Sequence, residues 1–159
     1  MRRVFAALTV TAVAVALVVA PAAGAKKRHP ATGTHRVFAT ALSSANDVPQ
    51  CSAAVANHSF GFAILWVKNP TAGTVAYALF AFNLPDAPTA AHIHLAPRGQ
   101  AGPIVQPLTI VPNAPTNGLV GFGTFTNPDL VTAIRANPAA YYVNIHTAAC
   151  PAGAARGQL

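Results

Sequence analysis

Ser59-Phe60-Gly61-Phe62-Ala63-Ile64-Leu65-Trp66-Val67 is followed by Lys68-Asn69-Pro70-Thr71-Ala72-Gly73, and then by a second apolar run from Thr74 to Leu84. In the first run Phe60, Phe62, Ile64 and Trp66 recur at period two, the spacing of side chains on one face of a half-buried strand. The second run places Val75, Tyr77, Leu79 and Ala81 on one face in the same way. The Pro/Gly segment between them reads as a turn, so the two runs form a β-hairpin. Trp66 is expected in the core.

Working outward, Thr34 to Leu42 alternates loosely and reads as a strand. Ser43 to Asn57 is a long loop holding Asn46-Asp47-Val48-Pro49 and Cys51. Downstream, Ala91 to Leu95 is a short strand. Ile104 to Val111 contains Pro107, which confines it to a sheet edge or to irregular structure. Leu119 to Phe125 is a strand. Asn127-Pro128-Asp129 reads as the N-cap and first turn of a helix, with Leu130, Val131 and Ile134 as its apolar stripe. Asn137-Pro138 ends that helix, and Tyr141 to Thr147 is the last clear strand. About seven short strands, one short helix and many turns predict an all-β fold: an antiparallel immunoglobulin-like β-sandwich or barrel.

The composition narrows both compartment and chemistry. The chain has 159 residues and a net charge of +7, yet only 8% of residues are charged. It contains no glutamate, and its acids are Asp47, Asp86 and Asp129. That scarcity argues against a two-carboxylate glycosidase and against a calcium cage. No serine sits in a nucleophile elbow, and phosphate and dinucleotide loops are absent. No catalytic residues are expected.

Residues 1–25 read as a secretory signal peptide: two arginines, an apolar run from Val4 to Ala20, Pro21, and an Ala23-Gly24-Ala25 cleavage site. No transmembrane segment is expected after cleavage. Arg2-Arg3 also partly matches a twin-arginine signal. Without Arg2 and Arg3 the charge is 7 − 2 = +5. Residues 26–33, opening with Lys26-Lys27-Arg28-His29, read as a basic flexible tail, and residues 34–159 as one domain. The expected location is extracellular or the cell envelope, with an extracellular protein or cell-wall polymer as partner and no nucleic acid. Cys51 and Cys150 form an even pair in an exported chain, which suggests a disulfide.

His92-Ile93-His94 is the sharpest chemical feature. Residues two apart on a strand share a face at roughly 6.5–7 Å. With Ile93 and Leu95 facing the core, His92 and His94 face outward. Val143 and Ile145 face inward in the last strand, leaving Asn144 and His146 outside. If the two strands pair, His92, His94 and His146 form a three-imidazole cluster suited to copper or zinc. The competing reading is structural: such histidines hydrogen-bond to loop backbone, and acids that would orient ligands are scarce. No resident cofactor is expected, copper being the alternative. Tyr141 and Tyr142 read as one core ring and one surface ring. The three acids are assigned plain positions in a loop, a Pro turn and a helix first turn.

Three ordered blocks resemble the CHRD domain, the family first described in chordin. Leu42-Ser43-Ser44-Ala45-Asn46-Asp47-Val48-Pro49 is similar to its opening L-S-G-A-N-E-V-P. Ala91-His92-Ile93-His94 with Gly99 and Gly102-Pro103 is similar to A-H-I-H-x-G…G…G-P. Tyr142-Val143-Asn144-Ile145-His146-Thr147, then Pro151-Ala152-Gly153 and Arg156-Gly157-Gln158-Leu159, resembles the closing block. Ala154-Ala155 replace the usual Glu-Ile, Asp47 replaces Glu, and Ala96 stands where glycine is common. The resemblance implies an all-β barrel and a non-enzymatic structural, adhesive or binding role. It marks Asn46, Asp47, Pro49, Gly102, Asn144, Arg156 and Gly157 as motif residues. The histidine layout is also similar to copper/zinc superoxide dismutases, without their acid-rich zinc loop.

Overall fold

The computed structural model describes residues 36–52 and 58–159. Residues 1–25 and 26–33, read from sequence as a signal peptide and a basic tail, lie outside the described residues. Eight strands form one antiparallel sheet: β1 (Val37–Ser43), β2 (Phe60–Asn69), β3 (Thr74–Phe82), β4 (Pro88–Leu95), β5 (Ile104–Leu108), β6 (Gly118–Thr126), β7 (Tyr141–Thr147) and β8 (Ala155–Gln158). Their order is β5-β4-β7-β8-β1-β2-β3-β6. A bridge between Ile110 and Gly121 brings the two edges together, so the sheet is a nearly closed barrel. Pro107 lies in an edge strand, where its missing N–H costs no ladder bond.

The hairpin forms as expected, and β3 buries the expected face, but β2 buries the face opposite its aromatic row. Ala63, Leu65 and Val67 of β2 point inward, opposite Leu79, Tyr77 and Val75 of β3. Phe60, Phe62, Ile64 and Trp66 point outward, and Trp66 is 53% exposed rather than buried. Both faces of β2 are apolar, so periodicity identifies the strand without saying which face is inside. Pairing with β1, whose Phe38 and Leu42 are buried, decides it.

The one α-helix among the described residues, α1 (Pro128–Ala136), begins as its sequence predicts. Asn127 caps it by accepting a hydrogen bond from the Leu130 amide, and Asp129 and Arg135 lie at the dipole ends that favour their charges. Leu130, Val131 and Ile134 plug one end of the barrel. The gap left between Val131, Ile134, Phe38, Leu65, Val67, Val75 and Phe125 is about 10 Å³. That is at the lower limit for one water, and the lining is apolar, so the plug is dry. Gly73 makes the approach possible: at φ +69°, a Cβ there would fall 2.2 Å from Pro128 Cα.

An eighth strand, β8, lies beyond the seven expected. Its sequence, Ala155-Arg156-Gly157-Gln158, has no branched or aromatic residue. It is a strand because β7 and β1 flank it. Cys51 and Cys150 are joined as expected, with Cα atoms 5.4 Å apart and a sequence separation of 99. A loop of that length predicts that Cys51→Ser with Cys150→Ser costs about 4–5 kcal/mol. Urea unfolding of the variant against the oxidised parent measures it, and an unchanged midpoint would refute the expectation.

Candidate metal centre

The site lies on the β4-β7-β8 part of the sheet, on the surface opposite the barrel core. Register puts His94 beside Tyr142 and His92 beside Asn144, with Ala90 beside His146. Asn144 in turn pairs with Arg156, and Tyr142 with Gln158. Ile93, Val143 and Ile145, on the reverse face, are fully buried in the core. The alternation read from the sequence therefore holds for the histidines. What it missed is the cover. His94, Asn144 and His146 are buried, Tyr141 and Tyr142 are both buried, and Leu95 is 41% exposed instead of facing the core.

Two loops supply that cover. Residues 96–103 fold back so that His94 Nδ1 lies 2.9 Å from the Gly102 carbonyl, and the Gly102 amide donates to the Tyr142 hydroxyl. Arg156 Nη2 donates to the Pro97 carbonyl, and Gln158 to that of Ala96. Residues 148–154 are held by Asn144 donating to Ala152 O, by His146 Nδ1 at 3.1 Å from Pro151 O, and by the disulfide at Cys150. The backbone carbonyls of small residues orient the histidines in place of carboxylates. No sequence pattern reports that substitution.

A carbonyl only accepts, so Nδ1 of His94 and of His146 carries the proton. In the neutral rings Nε2 is then a free lone pair. Among the described residues, His94 Nε2, His146 Nε2 and His92 Nδ1 are buried without hydrogen-bond partners. One ring nitrogen from each histidine lies within 4.8 Å of the others. Ring centroids are 5.0–5.7 Å apart. A shared ion at ~2.0–2.1 Å from each would need nitrogens ~3.3–3.6 Å apart, so binding would draw the rings together by up to about 1.5 Å. Burial is the main cause holding all three pKa values down, His146 to about 4, with the neighbouring histidines adding to it at His92 and His146. The rings are therefore neutral and ready to ligate at pH 7.

Behind the histidines the ring of Tyr142 is sandwiched. His94 stacks on it at 4.7 Å, and the Arg156 guanidinium sits 3.5 Å from its centroid. Asp47, assigned a plain loop position from sequence, is in fact only 3% exposed. It faces Asn144 and Arg156, and a Cβ on Gly153 would lie 2.2 Å from its Oδ1. Asn46 donates to the Arg156 carbonyl and accepts from Arg98. Gly157 packs where a Cβ would strike Ala41 O. Of the motif residues, Asn46, Asp47, Gly102, Asn144 and Arg156 thus gather around this face, while Gly157 lies on the reverse side in register with Val143. Pro49 is exposed, after a cis bond from Val48.

A family model for the CHRD domain matches residues 38–159. The chain belongs to the CHRD domain family. No curated protein and no solved structure matches it.

Burial pushes the Asp47 carboxyl up from 3.8 to about 7, against the opposing pull of Asn144 and Arg156. The folded state therefore holds its proton more tightly than the unfolded state. The resulting stabilisation is complete below pH 3.8 and is lost as pH rises through about 7. His146 has the opposite sign: its stabilisation is present above pH 6.5 and is lost as pH falls towards about 4. Asp47→Asn should remove the first slope alone. The stability of the variant relative to the parent then grows steadily from pH 4 to pH 7 in urea unfolding. Parallel curves would show that Asp47 does not titrate in this window.

Proposed function

We propose that this chain is an exported, non-enzymatic CHRD domain that holds one copper-class ion at His92, His94 and His146, outside the cell or at its surface. The observation that carries the reading is the three converging, unpartnered imidazole nitrogens. Histidines kept only to brace loops satisfy that role through Nδ1 and have no reason to aim their second nitrogens at one another. Leaving such groups unpaired in a buried site costs about 1–3 kcal/mol each, and a shared ion removes that cost. An all-imidazole set without carboxylates suits copper or zinc, and copper stands highest in the divalent affinity order. Export is supported by the signal-like residues 1–25 and by the disulfide. Among the described residues no helix is long and apolar enough to cross a membrane. The scarcity of acids supports a binding role over hydrolysis.

The test is stoichiometry. Demetallated protein titrated with Cu(II), Cu(I) and Zn(II) should take up one equivalent, with a higher melting temperature. At a free concentration one hundred times Kd, the ion adds about 2.7 kcal/mol of stability. His146→Ala should abolish uptake. His92→Ala, which leaves both loop hydrogen bonds in place, should weaken uptake without lowering the stability of the metal-free protein. Uptake unchanged in both variants, or no uptake by the parent, would reduce the three histidines to loop braces.

A further inference from the structure

The outer face of β1, β2, β3 and β6 departs from an ordinary soluble surface. Val37, Phe60, Phe62, Ile64, Trp66 and Phe122 stand on it between 38% and 58% exposed. Cross-strand register makes them one patch, since Val37 is paired with Trp66 and Ala78 links Ile64 to Phe122. Three interstrand gaps of ~4.8 Å by three two-residue steps of ~6.7 Å give roughly 300 Å² in plan. That is the scale of the largest apolar patch on a typical monomer, which is often functional. Ala76 and Ala78 floor a shallow groove along it, walled by Ile64 and Trp66.

Three observations choose the occupant. First, the patch belongs to a nearly closed barrel and is convex. Two such convex faces meet over little area, so a rigid second copy fits it poorly, whereas a fluid surface conforms to it. Second, the Phe60–Phe82 and Phe62–Phe80 rings stack across the strands at 5.2 and 4.6 Å with interplanar angles of 21° and 18°. One face of each ring is taken by its neighbour, which leaves less flat aromatic face for a sugar polymer and suits hydrocarbon. Third, the charge lies at one end. Lys68 continues the exposed row after Trp66, and Arg36, also exposed, precedes Val37 beside it. An aromatic rim with a basic edge is the pattern of a membrane interface.

We propose that this face docks on an anionic lipid bilayer, with Trp66 at headgroup depth and Lys68 and Arg36 on acidic headgroups. This surface is remote from the histidine face in the strand order, and the proposal does not depend on metal binding.

Trp66 is the only tryptophan in the chain, so its fluorescence reports this face even if another segment also meets lipid. The full chain is mixed with vesicles of phosphatidylcholine alone or with about one third phosphatidylglycerol. The expected result is a blue shift of Trp66 emission and its quenching by brominated acyl chains in the anionic vesicles. The apparent affinity should fall at least tenfold in high salt, in Lys68→Glu, and in Phe122→Ser. Both positions are exposed, and unchanged thermal unfolding of the variants confirms that they fold. Three outcomes would overturn the proposal. One is a Trp66 spectrum unmoved while the chain sediments with vesicles or with an anionic wall polymer. Another is a blue shift that needs no lipid and grows with protein concentration, which would mean self-association. The last is equal binding to both vesicle types.

Discussion

A buried guanidinium ties the two halves of this barrel together. Arg156 is 2% exposed, and β8, the strand that carries it, lies between β7 and β1. Its carbonyl accepts from Asn46, its Nη2 donates to Pro97, and its guanidinium plane lies over Tyr142. Removing such a charge from water costs several kcal/mol unless it is fully engaged. That requirement dictates the surroundings: an aromatic face on one side, loop carbonyls at the rim and the Asp47 carboxyl nearby. The covering loop over residues 96–103 is thus part of the cost of burying Arg156. Because it lies where it does, Gly102 O reaches His94 and the imidazole presents Nε2 to the other histidines.

The barrel has two unlike exteriors. Over β4, β7 and β8 the outer face is polar, roofed and pinned by side chain to backbone hydrogen bonds. Over β1, β2, β3 and β6 it is apolar and open. An interior shared by both keeps them rigid with respect to each other, since Ile93, Val143 and Ile145 line the same core as Leu65 and Leu79. The proposed ion and the proposed lipid contact thus fall on separate faces of one rigid domain. The long disulfide anchors the opening loop to the loop that carries Pro151, so the roof over His146 is covalently fixed at its far side.

Much of the site was legible before folding was considered. His92 and His94 at period two, with Ile93 between them, define one face of one strand, and Asn144 and His146 do the same in another. The N-cap at Asn127, the Pro107 edge strand and the cysteine pair are also local or compositional signals. Asp47 is a different case. A lone acid in an Asn-Asp-Val-Pro turn reads as solvated, and nothing nearby in sequence says that Gly153, over 100 residues later, closes it in.

By itself, then, the sequence determined the strands, the helix, the turns and which histidines share a face, because side-chain period and turn chemistry act over a few residues. Only the tertiary structure decided which side of each strand is inside. Phe60, Phe62, Ile64 and Trp66 satisfy a core pattern as well as Ala63, Leu65 and Val67 do, and the choice is made by what β1 and β3 offer in register. Tertiary structure also made β8 a strand despite its weak propensity. It brought carbonyls from two distant loops to the histidines, because backbone groups carry no sequence signature and reach their partners only when the chain has closed.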